Sequence, residues 1–256
     1  MFKHDILISI VTYNSNLDYI KKLVSTINQI TIIKIKLIII DNLSSKKYFK
    51  KLLKINTNII SAGKNIGYGK ANNLVEEISE NSKYFLVLNP DIEFDDQTII
   101  NLFNFMENNK NYGLISPLLK SSDNFYYDFN RNKFGFFNLL FRWINKIDDK
   151  ISSNTINELF INNKIIEVDY VSGSFMFFRR NIFKNISGFN NKFFMYFEDV
   201  EICDLVRESN SKIGILKEAT AIHLRNRESY RSINMLFVHF LSFIKYKIYH
   251  RSKLSS

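Results

Sequence analysis

Apolar residues follow two alternating rhythms over the first 90 positions. The runs ILISIVTY (6–13), IKLIIID (35–41), NIIS (58–61) and YFLVLN (84–89) are short and rich in β-branched residues, the pattern of strands, and YFLVLN is apolar enough for burial on both faces. Between them LDYIKKLVSTINQ (17–29), KKYFKKLLK (46–54) and GKANNLVEEISENS (69–82) return apolar residues at helical spacing. This βαβα alternation predicts an α/β fold, a mostly parallel sheet flanked by helices, with right-handed crossovers and a ligand site at the carboxyl ends of the strands. Thr12-Tyr13-Asn14, Asp41-Asn42, Ala62 to Asn65 and Asn89-Pro90-Asp91 all fall at those ends. From 121 to 163 the period dissolves into aromatic and Asn-rich sequence, too long for an ordinary connection, which predicts a lid or an acceptor-facing segment.

Composition narrows the class. A chain of 256 residues with 46% hydrophobic content can bury a full core. Its one cysteine, Cys203, excludes an intrachain disulfide framework and any cysteine-cluster metal site, in keeping with a reducing compartment. The N-terminus runs directly into a strand pattern, without the layout of a cleavable signal, and the apolar stretch from Ile233 to Ile244 is shorter than the roughly 20 residues a bilayer span needs. The expected location is cytoplasmic.

Charge adds a partner class. Of the net +10, Arg225, Arg227, Arg231, Lys245, Lys247, Arg251 and Lys253 against Glu228 leave seven minus one, or +6, in the last 32 residues. Such a tail suits nucleic acid or an anionic membrane surface. Leu236, Phe240 and Phe243, and Phe237, Leu241, Ile244 and Ile248, are spaced for helix faces, with Lys245, Lys247 and Arg251 at the polar end. Two uses of that helix stand side by side, docking on the inner face of the membrane or packing on the preceding domain.

Phosphate-loop motifs are absent. Gly69-Lys70 is followed by Ala71, not Ser or Thr, and Lys64 stands five residues before Gly69, so GKNIGYGKANN is not a Walker A loop; it also fails G-x-G-x-x-G. What remains is a Gly-rich turn opening a helix, where free N–H groups face an anion or simply let the helix start. In EDVEICDLVRES, Asp199 shares a helical stripe with Ile202, Cys203 and Val206, while Glu201 and Asp204 are expected to project elsewhere.

SIVTYN, IIIDNLSS, NIGYGKANN, LNPDIEF, VSGSFMFFRR and GFNNKFFMYFEDVEICDLVRES occur in that order. The ordered series resembles a family 2 glycosyltransferase of the GT-A fold, most like bacterial rhamnosyltransferase-type enzymes of surface polysaccharide assembly, over roughly residues 5 to 225. The resemblance implies a catalytic domain over 1–230, with a nucleotide-sugar-binding half (1–120) and an acceptor-side half (121–230), followed by a basic amphipathic helix (231–256). It implies an inverting transfer of a sugar, rhamnose foremost, from a dTDP- or UDP-linked donor to a hydroxyl of a glycan or lipid-linked glycan. Asp91 matches the essential carboxylate that holds Mg²⁺ or Mn²⁺ against the donor diphosphate, and Asn89 stands where many relatives have Asp. Thr12, Tyr13, Asn14, Asp41, Asn65, Gly67, Asn72, Asn89 and Asp91 fall to donor binding. Ser172, Gly173 and Glu198 fall to the acceptor side, Asp199 to the general base, His223 to a second metal ligand, and Ser229 to a phosphate-side serine.

Each residue has a plainer reading: Asp91 a turn residue after Pro90, Tyr13 a sheet-edge aromatic, Asp41 a helix N-cap, Asp199 or Glu198 a first-turn acid serving the helix dipole. Asn72 and Asn73 sit in a helix that propensity would fill otherwise, which favours a functional reading. Two rival activities remain at this stage, a nucleotidyltransferase on a similar sheet and a non-catalytic basic module that binds nucleic acid. The latter lacks any nucleic-acid-reading motif, so no nucleic acid is expected.

Overall fold

The structure is a computed structural model and describes residues 2–123, 125–126, 153–224 and 233–254. The first half alternates β1 (His4–Thr12), α1 (Leu17–Gln29), β2 (Ile35–Asp41), α2 (Lys46–Leu52), β3 (Asn58–Ser61), α3 (Tyr68–Ile78) and β4 (Ser82–Leu88). Then follow β5 (Ile92–Phe94), α4 (Asp96–Asn108), β6 (Tyr112–Ser121), α5 (Ser153–Leu159), β7 (Ile165–Glu167), β8 (Phe175–Arg179), α6 (Arg180–Asn185), α7 (Glu198–Glu208), β9 (Lys212–His223) and α8 (Ile233–Leu254). Most of the expected lid segment, 127–152, and Ser229 lie outside the described residues.

Among the described residues a nine-stranded sheet carries the fold, in the order β3-β2-β1-β4-β8-β6-β9-β5, with β7 pairing β9. The strands from β3 to β4 are parallel. Beyond them the sheet is mixed: β8 inserts antiparallel between β4 and β6, β6 and β9 run parallel, and β5 and β7 lie antiparallel on β9. The apolar runs of β1 are explained by burial on both sides. Ile6, Ile8 and Ile10 face the cluster that includes Ile20, Leu23 and Ile27 of α1 and Ile99, Leu102 and Met106 of α4. Leu7 and Val11 face the cluster with Val75 of α3 and Ile202 and Val206 of α7.

Caps set the element ends. Asn16 accepts the Asp18 N–H and opens α1, and Asp95 accepts the Thr98 N–H and opens α4. α3 stops at Ile78, four residues short of the end its pattern predicts, and Arg180 packs against the carbonyls at and just beyond that end. That guanidinium donates to the carbonyls of Glu76, Ser79 and Glu80, to Ser82 Oγ, and to Glu76 Oε1 at 2.8 Å. Carbonyls that lack an intrahelical partner are thereby satisfied.

Candidate active site

The carboxyl ends of β1, β2 and β4 form one rim, and the local hydrogen bonds show how each side chain is held there. Asp41 is 3% exposed and accepts the Ser44 N–H with its two oxygens at 3.3 and 3.2 Å. It is not the cap of α2: Ser45 is, accepting the Tyr48 N–H. Asn14, with φ +54°, accepts the Ser45 N–H at 2.9 Å while its own N–H donates to Ser44 Oγ. Asn42 donates to Asn65 Oδ1 and accepts the Ile66 N–H, each at 2.9 Å, and Asn65 in turn accepts the Gly67 N–H. The ends of β1, β2 and the β3–α3 loop are thus one hydrogen-bonded unit.

Burial separates residues that face solvent from those that support them. Tyr13 is exposed. Thr12 is fully buried with its hydroxyl 2.7 Å from that of Tyr48. Asn72 is likewise fully buried, accepting from Ser9 Oγ at 2.6 Å and donating to the Tyr68 carbonyl. Asn73 clamps the backbone of Phe189, donating to its carbonyl at 2.7 Å and accepting its N–H at 2.9 Å. Both asparagines therefore have a structural occupation that helix propensity alone does not suggest.

Gly67 caps α3 at φ +86°, where a Cβ would run into the Phe194 carbonyl oxygen. That approach lets the Tyr68 N–H donate to the same oxygen at 3.0 Å. The Tyr68 hydroxyl donates to the Gly173 carbonyl at 2.8 Å, and the Gly173 N–H donates to Asp199 Oδ2 at 3.2 Å. The Gly67–Tyr68 turn, the Ser172–Ser174 loop and the Asp199 carboxylate are linked through one residue, Gly173. Tyr68, absent from the sequence-based site, is its hub. Burial first, then the charges of Glu198, Asp199 and Asp91, push its phenol pKa well up, so all three carboxylates lie within electrostatic reach of one side chain.

The two acids at the start of α7 differ in environment. Asp199 is half-buried, bonded to Gly173 and to the Val200 N–H. Glu198 is 6% exposed, its Oε2 has no hydrogen-bond partner among the described residues, and burial, then the Asp199 charge, push its pKa up to about 8. The expected outward projection of Glu201 and Asp204 is corrected: they are 2% and 5% exposed. The cause is cover from distant sequence. Tyr246 of α8 donates to Asp204 Oδ2 at 2.8 Å, Tyr170 to Oδ1 at 3.1 Å, and Asn190 to Glu201 at 3.3 Å.

At the end of β4, the Asn89 N–H donates to the Ser174 carbonyl, and Asp91 Oδ2 stands 3.3 Å from His223 Nε2. β5 pairs Ile92 with His223, which brings together two residues 132 positions apart. One oxygen and one nitrogen donor at that separation suit neighbouring ligands of one small divalent ion, since two bonds of about 2.1 Å at a right angle place the donors about 3 Å apart. Among the described residues no group of three or more His, Cys, Asp or Glu forms a closed site, so the other positions would fall to phosphate oxygens and water.

A GT-A-type sheet with carboxylates gathered on one rim defines the class, and comparison with known proteins defines the family. Residues 7–187 match the model of glycosyl transferase family 2, and the chain belongs to that family. The low-salt glycan biosynthesis hexosyltransferase Agl10 of Haloferax volcanii is 30% identical over 224 residues, 86% of this chain and 67% of its own. The rhamnosyltransferase WbbL of Escherichia coli K12 is 26% identical over 235 residues, 86% of this chain and 84% of its own. In fold, the chain is similar to GalNAc-T7 crystallised with UDP, GalNAc and Mn²⁺, with a TM-score of 0.64 at 12% identity. It is also similar to Staphylococcus aureus TarS 1-349, with a TM-score of 0.60 at 15% identity. These alignments cover 87% and 86% of this chain but only 44% and 60% of the two solved chains. Family membership takes the place of both rival activities.

Proposed function

We propose that this glycosyltransferase is metal-dependent and inverting, moving a hexose, rhamnose foremost, from a dTDP- or UDP-linked donor to a hydroxyl of a glycan or lipid-linked glycan. The observation that carries this reading is the chain of contacts from Tyr68 through Gly173 to Asp199, with the Asp91–His223 pair and Glu198 near the same ring, because it sets a phosphate-side carboxylate and an acceptor-side carboxylate about one side chain. Rhamnose is favoured by likeness to a rhamnosyltransferase, and glycan synthesis by the Agl10 match.

Asp91 and His223 would hold the cation, which when bound neutralises charge building on the departing diphosphate. The rest falls to the chain. The Gly67 turn and Asn65 would seat the nucleotide side, and the exposed Tyr13 ring at the rim would meet the base. Asp199, oriented by the Gly173 N–H, takes the proton of the acceptor hydroxyl as its oxygen bonds to the anomeric carbon. The bond from that carbon to the diphosphate oxygen breaks on the opposite face, the electron pair leaves with the diphosphate, and the anomeric centre inverts. Buried Glu198, held protonated near neutral pH, avoids a second negative charge beside Asp199.

The site of action we propose is the inner face of a membrane, reached through α8. Ser242, Phe243 and Tyr246 face the domain, whereas Leu241, Ile244 and Ile248 are exposed at i, i+3 and i+7, with Lys245 and Lys247 bracketing that stripe on the helical wheel. The two readings of this helix are therefore compatible, one face for each. The side chains of Leu236, Phe237 and Arg251 lie outside the described residues. Among the described residues no helix is long and apolar enough to cross a membrane. A panel of dTDP- and UDP-sugars, assayed for nucleoside diphosphate release and for anomeric configuration of the product, tests the reaction.

A further inference from the structure

The residues just before α7 adopt a conformation that their own sequence does not favour. Tyr196 and Phe197 have φ +68° and +65°, two consecutive bulky residues in the left-handed region. Such a conformation is strained for a bulky side chain and persists only where its surroundings over-determine it. Phe197 is also the N-cap of α7, its carbonyl accepting the Glu201 N–H at 3.0 Å, so this corner fixes the direction in which Glu198 and Asp199 leave the backbone.

The surroundings come from α8, some 40 residues downstream. Ser242 Oγ donates to the Met195 carbonyl at 2.7 Å and Lys245 to the Lys192 carbonyl at 3.2 Å. The Phe197 ring packs against His239, Phe243 and Tyr246, with centroids 5.2, 5.5 and 5.6 Å away, and Tyr196 against His239 at 4.9 Å. The Tyr246 hydroxyl continues to Asp204, about two turns along the α7 helix from that corner. From the other side, Phe194 accepts the Tyr68 N–H. A strained corner is thus gripped between the donor-side turn and the C-terminal helix.

We propose that α8 is a positioning element for catalysis: Ser242 and Tyr246 hold the Tyr196–Phe197 corner so that Asp199 stays on the Gly173 N–H, in line with the acceptor hydroxyl. This rests on Asp199 being the base. A small relaxation of the corner would swing a carboxylate that must sit within hydrogen-bond reach of its proton, and misplacement of about 1 Å costs on the order of a hundredfold in rate. Nucleotide binding would change far less than turnover, because only the Gly67–Tyr68 turn touches the corner, while the strand-end residues that seat the nucleotide are tied to one another.

The test uses the full-length chain with Ser242→Ala combined with Tyr246→Phe, beside Ser242→Thr and Asp199→Asn. UDP and dTDP with Mn²⁺ serve as binding probes, and dTDP-rhamnose and UDP-glucose as donors for turnover. The double variant is expected to lose about tenfold or more in kcat while its nucleotide affinity stays within about twofold, a split that general loosening of the fold does not produce. Ser242→Thr keeps the donated hydroxyl and should turn over at close to the parent rate. The proposal is overturned if the double variant keeps its kcat, if kcat, nucleotide affinity and melting temperature fall together, or if Ser242→Thr is as slow as the double variant. Asp199→Asn separates the two levels. Should it turn over normally, the base assignment fails and the positioning role with it; should it be inactive while the double variant is normal, the positioning role fails alone.

Discussion

Among single residues, Glu198 gives the sharpest pH signature. Its folded-state pKa is pushed up to about 8, chiefly by burial, whereas an unfolded glutamate titrates near 4.5. Between those values the folded chain retains a proton that the unfolded chain has released, so the stability contributed by this group is full below about 4.5 and is lost as pH rises towards 8. Glu198→Gln should therefore melt higher than the parent at pH 8, with the gap closing by pH 4.5, as thermal melts across that range would show; a gap that is constant with pH would contradict the assignment. Asp199→Asn keeps the shape and one of the two accepted N–H bonds but removes the proposed base, and turnover should fall about 10²-fold or more with nucleotide affinity nearly unchanged. The Asp199 stripe was legible because Ile202, Cys203 and Val206 lie on its own helix. The burial of Glu201 and Asp204 was not, because their cover, Asn190, Tyr170 and Tyr246, comes from other parts of the chain.

Elements show the same division. β2, β3 and α1 match their sequence patterns residue for residue, since the signal in each is local: a β-branched apolar run in the two strands and one buried stripe, Ile20, Leu23, Val24 and Ile27, in α1. The mixed half of the sheet was not legible: β8 pairs with β4 about 90 residues away in sequence, and no crossover helix announces the pairing. Nor was the joint beneath it. Arg180 and Glu76 form an ion pair whose side chains are 3% and 9% exposed, tying α6 to the end of α3, and Lys184 also approaches Glu76 at 3.4 Å. Arg180→Ala would leave Glu76 buried with only that outer lysine, and three carbonyls would lose their donor. A loss of ~3–5 kcal/mol is expected in denaturant titration, and less than about 1 kcal/mol would mean that the joint is not structural.

For the whole molecule, chemistry and location meet at α8, one face of which grips the α7 corner while the other offers apolar and basic side chains to solvent. Leu241, Ile244 and Ile248 changed together to Ser should reduce co-sedimentation with phosphatidylglycerol vesicles, and added salt should weaken binding of the parent chain by screening its lysines. Equal pelleting of both proteins would remove the membrane reading while leaving the chemistry intact. The proposed metal dependence rests on Asp91 and His223, which stand 132 positions apart in sequence and which the β5–β9 pairing brings to 3.3 Å. The most direct measurement is nucleoside diphosphate release from dTDP-rhamnose and UDP-sugars by the parent chain and Asp91→Ala, each with Mn²⁺ and with EDTA. Release by the parent chain in Mn²⁺ alone, absent from Asp91→Ala, is the predicted result; release that survives both EDTA and the Asp91 substitution would contradict it.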